Sequence, residues 1–227
     1  MKYAISLVIG MILGVTLFVL GLYYNPFVGN PSVSPLAVSD LDMVDLSYSL
    51  VASDSIAFTN NGESHVKPHP AKVLQLWEPT VDRTRGLVTV LTDSRGEPAG
   101  LGVKFSSDSE DTALLDGAVL VNSVWHIYLP GRGTFLVDQT ENFWPYLRDI
   151  VIPARLSSGD NWRGSWYGIM SVGPGALGTA RVTANTGPFI GSEAEAVESI
   201  AARAYSSNSG PVGMSGSLTI ALPHLED

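Results

Sequence analysis

The first two dozen residues carry an unbroken apolar run that differs from everything after it. Residues 4–22 (AISLVIGMILGVTLFVLGL) contain no charged side chain, and twelve of them are Leu, Ile, Val or Phe. A helix rises about 1.5 Å per residue, so this run is long enough to cross roughly 30 Å of hydrocarbon. The pattern predicts a transmembrane helix within residues 1–24.

A cleaved signal peptide is the alternative interpretation of this segment. Such peptides have an apolar core of about 7–15 residues, followed by a cleavage site of the small-x-small type. Here the run is longer, and it ends in Tyr23 and Tyr24, a residue type that favours the headgroup level of a bilayer. We therefore expect the helix to stay attached as an anchor.

The basic residues near the run predict its orientation. Lys2 precedes the run, the next basic residue is Lys67, and Asp40, Asp42 and Asp45 lie in between. Because basic residues are retained on the cytoplasmic side, we expect a single-pass protein of the cell membrane with a cytoplasmic N-terminus. The remainder would then be extracytoplasmic, and periplasmic if the chain is bacterial.

Small residues recur along one side of the predicted helix, at Ser6, Gly10, Gly14 and Gly21. Helices in lipid use such strips to bring their backbones close together. The strip predicts packing against another transmembrane helix, either from a second copy of the chain or from other subunits. The alternative is that glycine is simply frequent in membrane helices.

Residues 25–39 separate the anchor from a domain of different character. This stretch (NPFVGNPSVSPLAVS) holds three prolines together with Ser, Gly and Asn, which is typical of an extended tether. Residues 40–227 show short apolar runs, often alternating, between turn signals, the pattern of β-strands. The predicted strands are 44–51, 72–77, 87–92, 100–105, 118–129, 134–139, 165–172, 177–183, 193–205 and 216–222.

The number and spacing of these strands indicate the fold class. Roughly eight to ten short strands favour an all-β domain, either an antiparallel closed barrel or a sandwich. The strand 216–222 alternates most clearly, with Leu218, Ile220 and Leu222 on one face. A short helix is expected at 143–150, with Pro145 near its first turn.

The end of the chain resembles a known family. Residues 180–196 (ARVTANTGPFIGSEAEA) contain a T-G-x-F-x-G turn, and a small-residue strand, 216–223 (GSLTIALP), follows. This resembles the last hairpins of allene oxide cyclase and dirigent-like barrels. The resemblance implies an eight-stranded antiparallel barrel of calycin-like shape, often dimeric or trimeric, whose interior can hold an apolar ligand. The matched residues are not catalytic in that family, so the resemblance assigns no active site.

The same turn can be interpreted without the family. Gly187 and Gly191 can adopt the positive φ angles that turns require, and Phe189 between them can plug one end of a barrel. We therefore expect a structural role for these residues.

Composition and charge exclude several classes of function. The formal net charge is −9, from 13 basic and 22 acidic residues, and no basic cluster is present, which argues against a nucleic-acid partner. The absence of cysteine excludes thiol catalysis, disulfides and thiolate metal sites.

No motif predicts a catalytic, metal or cofactor site. His65 and His69 have the spacing of two metal ligands on a helix, but Pro68 and Pro70 prevent that helix. Residues 64–67 (SHVK) match the S-x-x-K motif of some acyl-transfer enzymes, yet Pro68 again prevents the helix that the motif needs. We therefore expect no catalytic residue, no metal and no cofactor.

Bulky aromatic residues cluster in the second half of the domain. The candidates for contact with a partner or ligand are Trp144, Tyr146, Trp162, Trp166 and Tyr167. Such side chains can line a barrel mouth, bind a partner or lie at a membrane interface, although core packing is their commonest role. Arg148, Arg155 and Arg163 lie among them and would contact a partner or lipid headgroups.

Two functions from different classes follow. The first is a non-catalytic accessory or scaffold subunit, anchored by its N-terminal helix within a membrane protein complex. The second is an envelope barrel that binds a lipophilic ligand or acts as a cyclase, which requires an interior cavity. A third, an envelope hydrolase, would need a nucleophile and a base that meet only in the fold.

Overall fold

A computed structural model describes residues 2–24, 41–60, 63–66 and 83–224. The expected tether at 25–39, the predicted strand 72–77 and His69 lie outside these described residues. Helix α1 (Lys2–Tyr23) is long and apolar enough to cross a membrane, and the apolar side chains along it are exposed. The predicted N-terminal apolar helix is confirmed, and its exposed side chains require lipid or another apolar surface around them.

Antiparallel strands make up most of the remaining described chain. In chain order they are β1 (Leu41–Ser49), β2 (Ala57–Asn60), β3 (Glu63–Val66), β4 (Arg85–Thr92), β5 (Pro98–Asp108), β6 (Leu120–Leu129), β7 (Gly133–Asn142), β8 (Asn161–Ile169), β9 (Ser171–Gly173), β10 (Ala180–Ala184), β11 (Glu193–Ser206) and β12 (Gly210–Pro223). Single 3₁₀ turns lie at Ala52–Asp54 and Leu114–Asp116.

A helical segment connects β7 to β8. It consists of α2 (Trp144–Tyr146), a π-helical stretch (Leu147–Val151) and α3 (Ile152–Leu156), which follow one another without a break. We refer to residues 144–156 as the helical segment. It extends beyond the helix predicted at 143–150, and Pro145 lies in its first turn as expected.

Eight of the strands close into an antiparallel barrel in the order β1-β12-β11-β10-β7-β6-β5-β4. The barrel closes where Ser47 of β1 pairs with Thr92 of β4, whose hydroxyl donates a 3.2 Å hydrogen bond to the Ser47 carbonyl. The other strands extend this barrel: β2 pairs with β4 and β3, β8 with the end of β11, and β9 with β7. The predicted all-β antiparallel barrel of calycin-like shape is confirmed.

Alternation along the strands fills the barrel interior with side chains. Leu218, Ile220 and Leu222 of β12 are buried in one core cluster, as the sequence predicts. Trp125 and Phe135 are the largest fully buried side chains of the described residues, and both belong to this cluster. The interior is therefore a packed core.

The turn between β10 and β11 closes one end of the barrel. Gly187 (φ 88°) and Gly191 (φ 77°) adopt positive φ angles, as expected, and a Cβ at Gly187 would lie 2.4 Å from the carbonyl oxygen of Arg132. Phe189 is buried against Phe135, with ring centroids 6.2 Å apart. The predicted plug role of Phe189 agrees with this packing.

Some predicted boundaries differ from the structure. The predicted strand 165–172 is divided into β8 and β9, which pair with different neighbours. The β2–β3 hairpin was not predicted, because its strands are only four residues long and carry little alternation. β12 begins earlier than predicted, at Gly210, since pairing with β11 continues through small residues that show no apolar period.

Candidate functional site

A cluster of charged and polar side chains is buried inside the barrel. Lys104 of β5, Glu141 of β7 and Glu198 of β11 are all buried, and the two glutamates have no exposed surface. A buried charge costs several kcal/mol unless it is paired and hydrogen-bonded. The contacts of each group therefore decide its charge state.

Glu198 is the centre of this network, because its carboxylate accepts hydrogen bonds on both oxygens. Its Oε1 accepts from Lys104 Nζ at 2.6 Å and from the Tyr48 hydroxyl. Its Oε2 accepts from Trp125 Nε1 at 3.0 Å and from the Gln139 amide. Burial opposes ionisation, but the charge of Lys104 and these donors outweigh it and lower the pKa of Glu198. Glu198 is therefore ionised.

Ser171 fixes the orientation of the Gln139 amide. The Ser171 hydroxyl accepts from the backbone N–H of Glu198 at 2.8 Å and donates to Gln139 Oε1 at 2.8 Å. Because the Gln139 amide nitrogen donates to the Glu198 side chain, the three residues form a closed ring of hydrogen bonds.

Lys104 connects the two glutamates. Its Nζ donates to Glu198 and, at 2.9 Å, to Glu141 Oε1, and it lies 5.4 Å from the centroid of the Trp125 ring. Burial alone would lower the pKa of the Lys104 ammonium, but the two carboxyl groups outweigh burial and raise it. Lys104 is therefore a buried cation.

Glu141 is the incompletely bonded member of the network. Its Oε2 has no hydrogen-bond partner among the described residues. Burial raises the pKa of Glu141 and the nearby charge of Glu198 raises it further, and together they outweigh the opposing effect of Lys104. One lysine cannot balance two carboxylates in a low-dielectric interior. The network therefore holds a Lys104 cation and a Glu198 anion, while the raised pKa of Glu141 favours the neutral form of that carboxyl.

Two glycines make room for the aromatic donors of this network. A Cβ at Gly216 of β12 would lie 2.1 Å from the Tyr48 ring, and a Cβ at Gly102 of β5 would lie 2.8 Å from the Trp125 ring. Tyr48 and Trp125 contact each other edge to face, with centroids 4.9 Å apart. The glycines therefore allow two large donors to reach one carboxylate.

The sequence did not predict this network, although one signal is present. In the strand predicted at 193–205, Glu198 shares its alternation phase with Ala194, Ala196, Ile200 and Ala202. A charged residue in the apolar phase of a strand indicates a buried ionic contact. Its partners could not be identified, since they lie on strands distant in sequence.

The outer surfaces of β4, β5 and β6 carry a second feature, an apolar face. Val90, Leu101 and Tyr128 lie side by side across the three strands and are 42%, 43% and 52% exposed. Phe105 of β5 is 50% exposed on the same side of the sheet. We call these four residues the outer apolar face; the half-buried Val88, Val103 and Val124 lie between them, together with the exposed His126, which pairs with Val103.

Strand β5 is inverted relative to the usual pattern of a soluble barrel. Its inward positions are Gly100, Gly102 and Lys104, whereas its apolar residues Leu101 and Phe105 point outward. Soluble proteins usually place the apolar phase of a strand against the core. Contiguous exposed apolar residues of this kind mark interaction surfaces.

Three of the five aromatic residues singled out from the sequence, Tyr146, Trp162 and Trp166, pack against a second core under the helical segment. Trp144 is buried, and Tyr146 packs against Trp166 and Tyr205 with centroids 6.2 and 6.1 Å away. Trp162 also packs against this cluster, which is built around Ile150, Met170, Ile200, Ala202 and Met214. Burial raises the pKa of the Tyr146 phenol. Tyr146, Trp162 and Trp166 therefore hold the helical segment on the sheet.

Tyr167 is the one of the five candidates that is mostly exposed, at 67%. With Trp166 it lines a surface groove of about 300 Å³ between the helical segment and β8. The indole of Trp166 donates to Asp149 at 3.2 Å, and Asp149 also accepts from Arg148. Trp166 and Asp149, which line the groove, are thus already hydrogen-bonded to each other.

The strip of small residues on α1 has open space beside it. A Cβ built at Gly10, Gly14 or Gly21 would meet no heavy atom within 4 Å in the described structure. Residues 5–21 of α1 are exposed on every side, so this openness does not distinguish the strip from the rest of the helix.

No protein-family model and no curated protein sequence matches the chain. The barrel has the architecture that the C-terminal resemblance implies, whereas membership of the allene oxide cyclase or dirigent-like family stays a prediction.

Proposed function

We propose that the protein is a membrane-anchored, non-catalytic accessory subunit whose barrel docks on a partner protein through the outer apolar face. The observation that carries this proposal is the inversion of β5, in which Lys104 faces the core while Leu101 and Phe105 face outward. Leaving such side chains in water costs about 25 cal/mol for each Å² of apolar surface. A partner that covers the face would remove this cost.

The N-terminal anchor determines where the protein lies in the cell under this proposal. α1 crosses the membrane with Lys2 on the cytoplasmic side, and the barrel lies on the extracytoplasmic side, which is periplasmic in a bacterium. The strip of Ser6, Gly10, Gly14 and Gly21 packs against another transmembrane helix of the same complex or of a second copy. Two contacts, one in lipid and one outside it, would then hold the subunit in place.

The packed barrel interior supports this function over the binding of an apolar ligand. A ligand-binding barrel needs an empty, mostly apolar cavity. Here the described core side chains, together with the ion pair of Lys104 and Glu198, occupy the interior. The same burial separates Glu141 and Glu198 from any substrate, which supports a non-catalytic role.

Affinity purification from native membranes tests the proposal. The variant Leu101→Ser/Phe105→Ser removes two side chains of the outer apolar face, and Ile190→Ser is the matched control, since Ile190 is 68% exposed on the β10–β11 turn. We expect the wild type and the control to recover the same partner, and the double variant to lose it. Recovery of the wild type only as a free monomer would contradict the proposal.

A further inference from the structure

The outer side of the helical segment is a mixed basic and apolar surface. Its inner side is buried through Trp144, Ile150, Val151 and Ala154. Arg148, Ile152, Arg155 and Leu156 recur at the spacing of one helical side, and we call these four residues the basic helical face. Leu156 is 82% exposed, and Arg155 is exposed next to it.

One of the two arginines of this face, Arg155, has a charge that is available for a partner. Arg148 pairs with its neighbour Asp149 at 2.7 Å, whereas Arg155 makes no ion pair with any described residue. The chain as a whole has a net charge of −9, whereas this position carries an unpaired positive charge beside an exposed leucine. Arginine and aliphatic side chains together suit the boundary between anionic headgroups and acyl chains.

The end of α1 lies close to this face. The pKa of the Arg148 guanidinium is raised, chiefly by its hydrogen bond with Asp149, and Tyr23 at the end of α1 is near enough to contribute to the shift. Leu22 and Tyr23 are half-buried, unlike the preceding turns of α1. A tyrosine at the end of an apolar helix favours the headgroup level, so Arg148 beside it is at the same level.

We infer that the basic helical face lies on the anionic phospholipid headgroups of the membrane that α1 crosses. Arg155 binds a headgroup phosphate, while the exposed Leu156 and the outer part of the half-buried Ile152 enter the upper acyl region. This inference rests on the membrane anchoring in the proposed function, but not on the partner subunit. Contact between this face and the headgroups fixes the orientation of the barrel relative to the bilayer. The domain then does not rotate freely about a tether.

The natural absence of cysteine allows a direct test with the full-length chain. Single-cysteine variants Leu156→Cys and Ile190→Cys carry a fluorophore, and Ile190 is the control at the opposite end of the barrel. Each labelled protein is reconstituted into nanodiscs of phosphatidylcholine with or without phosphatidylglycerol, together with lipids that carry a nitroxide quencher on the headgroup. A third label at Leu13→Cys, with acyl-chain quenchers, reports whether α1 is inserted.

We expect the label at position 156 to be quenched several-fold more than the label at 190, and only when phosphatidylglycerol is present. Adding Arg155→Glu should weaken this docking at least roughly fivefold, since one basic charge near an anionic surface contributes about that factor. Arg181→Glu, at an exposed position of β10, should have no effect.

Equal quenching at positions 156 and 190, with the label at 13 quenched, overturns the docking and leaves the anchor intact. An unquenched label at 13 overturns the anchor and the docking together. A change at the label on position 156 that needs a co-purified protein in the nanodisc, and is absent with the pure protein, also overturns the inference, because it assigns the face to a protein partner.

Discussion

The ammonium group of Lys104 lies 2.6 Å from Oε1 of Glu198, although the two residues are 94 positions apart in the sequence. Glu141 binds the same ammonium group from a third strand. Three barrel strands thus meet at one cation. Removing one partner of such a buried ion pair destabilises the fold strongly, because it leaves the other charge buried and unpaired. The pair also orients β5, because Lys104 can face the core only if Leu101 and Phe105 face outward.

The two glutamates should differ sharply in their contribution to stability. Glu198→Gln removes the anion that balances Lys104 and accepts from Tyr48 and Trp125, so we expect the free energy of unfolding to fall by about 3 kcal/mol or more. Glu141→Gln should not lower it, and should raise it where the pH lies above about 4.3, because a neutral amide replaces a carboxyl whose pKa is raised by folding. Urea unfolding followed by tryptophan fluorescence measures both. Equal losses for the two variants would contradict the assigned charge states.

The pH dependence of stability follows from the same assignment. The pKa of Glu198 is lowered by folding, so its contribution is present above the unfolded value of about 4.3 and is lost as the pH falls through the folded pKa. The pKa of Glu141 is raised, so its contribution is present below about 4.3 and is lost as the pH rises through the folded pKa.

Glu141→Gln therefore provides the test of the pH dependence. Its unfolding free energy relative to the wild type should rise as the pH increases above about 4.3, because the variant has no carboxyl to ionise. Unfolding curves for both proteins across the acidic to neutral range measure this difference. A difference that does not vary with pH would show that Glu141 is not a protonated, buried acid.

Gly216 should tolerate no side chain, since a Cβ there would lie 2.1 Å from the Tyr48 ring. We expect Gly216→Ala to lower the free energy of unfolding by about 1–3 kcal/mol, the usual cost of overpacking a core. Gly213→Ala on the same strand is the matched control, because the nearest atoms would lie at an ordinary 3.6 Å. Thermal unfolding of the two variants should separate them, and equal melting temperatures would contradict the packing around Tyr48.

The small-residue strip of α1 gives a prediction inside the membrane. Replacing Gly10 and Gly14 by leucine fills the open space on this side and should prevent close approach of a second helix. Replacing Ile9 and Leu13 by methionine, elsewhere on the helix, is the control. We expect the glycine variant to lose co-purifying membrane subunits in mild detergent, and unaltered recovery would exclude the strip as a contact.

The sequence pattern correctly predicted those parts of the fold that depend on residues close together in the chain. The uncharged run gave α1, the alternation of Leu218, Ile220 and Leu222 gave the inward side of β12, and Gly187 with Phe189 gave the closed barrel end. Each of these features depends on residues close together in the chain.

The buried network and the outer apolar face could not be predicted in the same way. In β5 the apolar phase belongs to Leu101 and Phe105, so alternation alone would direct these residues to the core. Their outward direction depends on Lys104 meeting Glu198, which is a contact between distant strands. Sequence patterns carry no information on such a meeting until the strand order is known.

Cross-linking at the outer apolar face tests the proposed function most directly. A single cysteine replaces Leu101 in the otherwise cysteine-free chain, a photoactivatable cross-linker is attached, and native membranes are irradiated. Ile190→Cys is the control, at a turn position that is more exposed than Leu101. We expect one discrete adduct with another protein at position 101 and none at position 190. Absence of an adduct at 101, with the chain fully labelled and inserted, would contradict it.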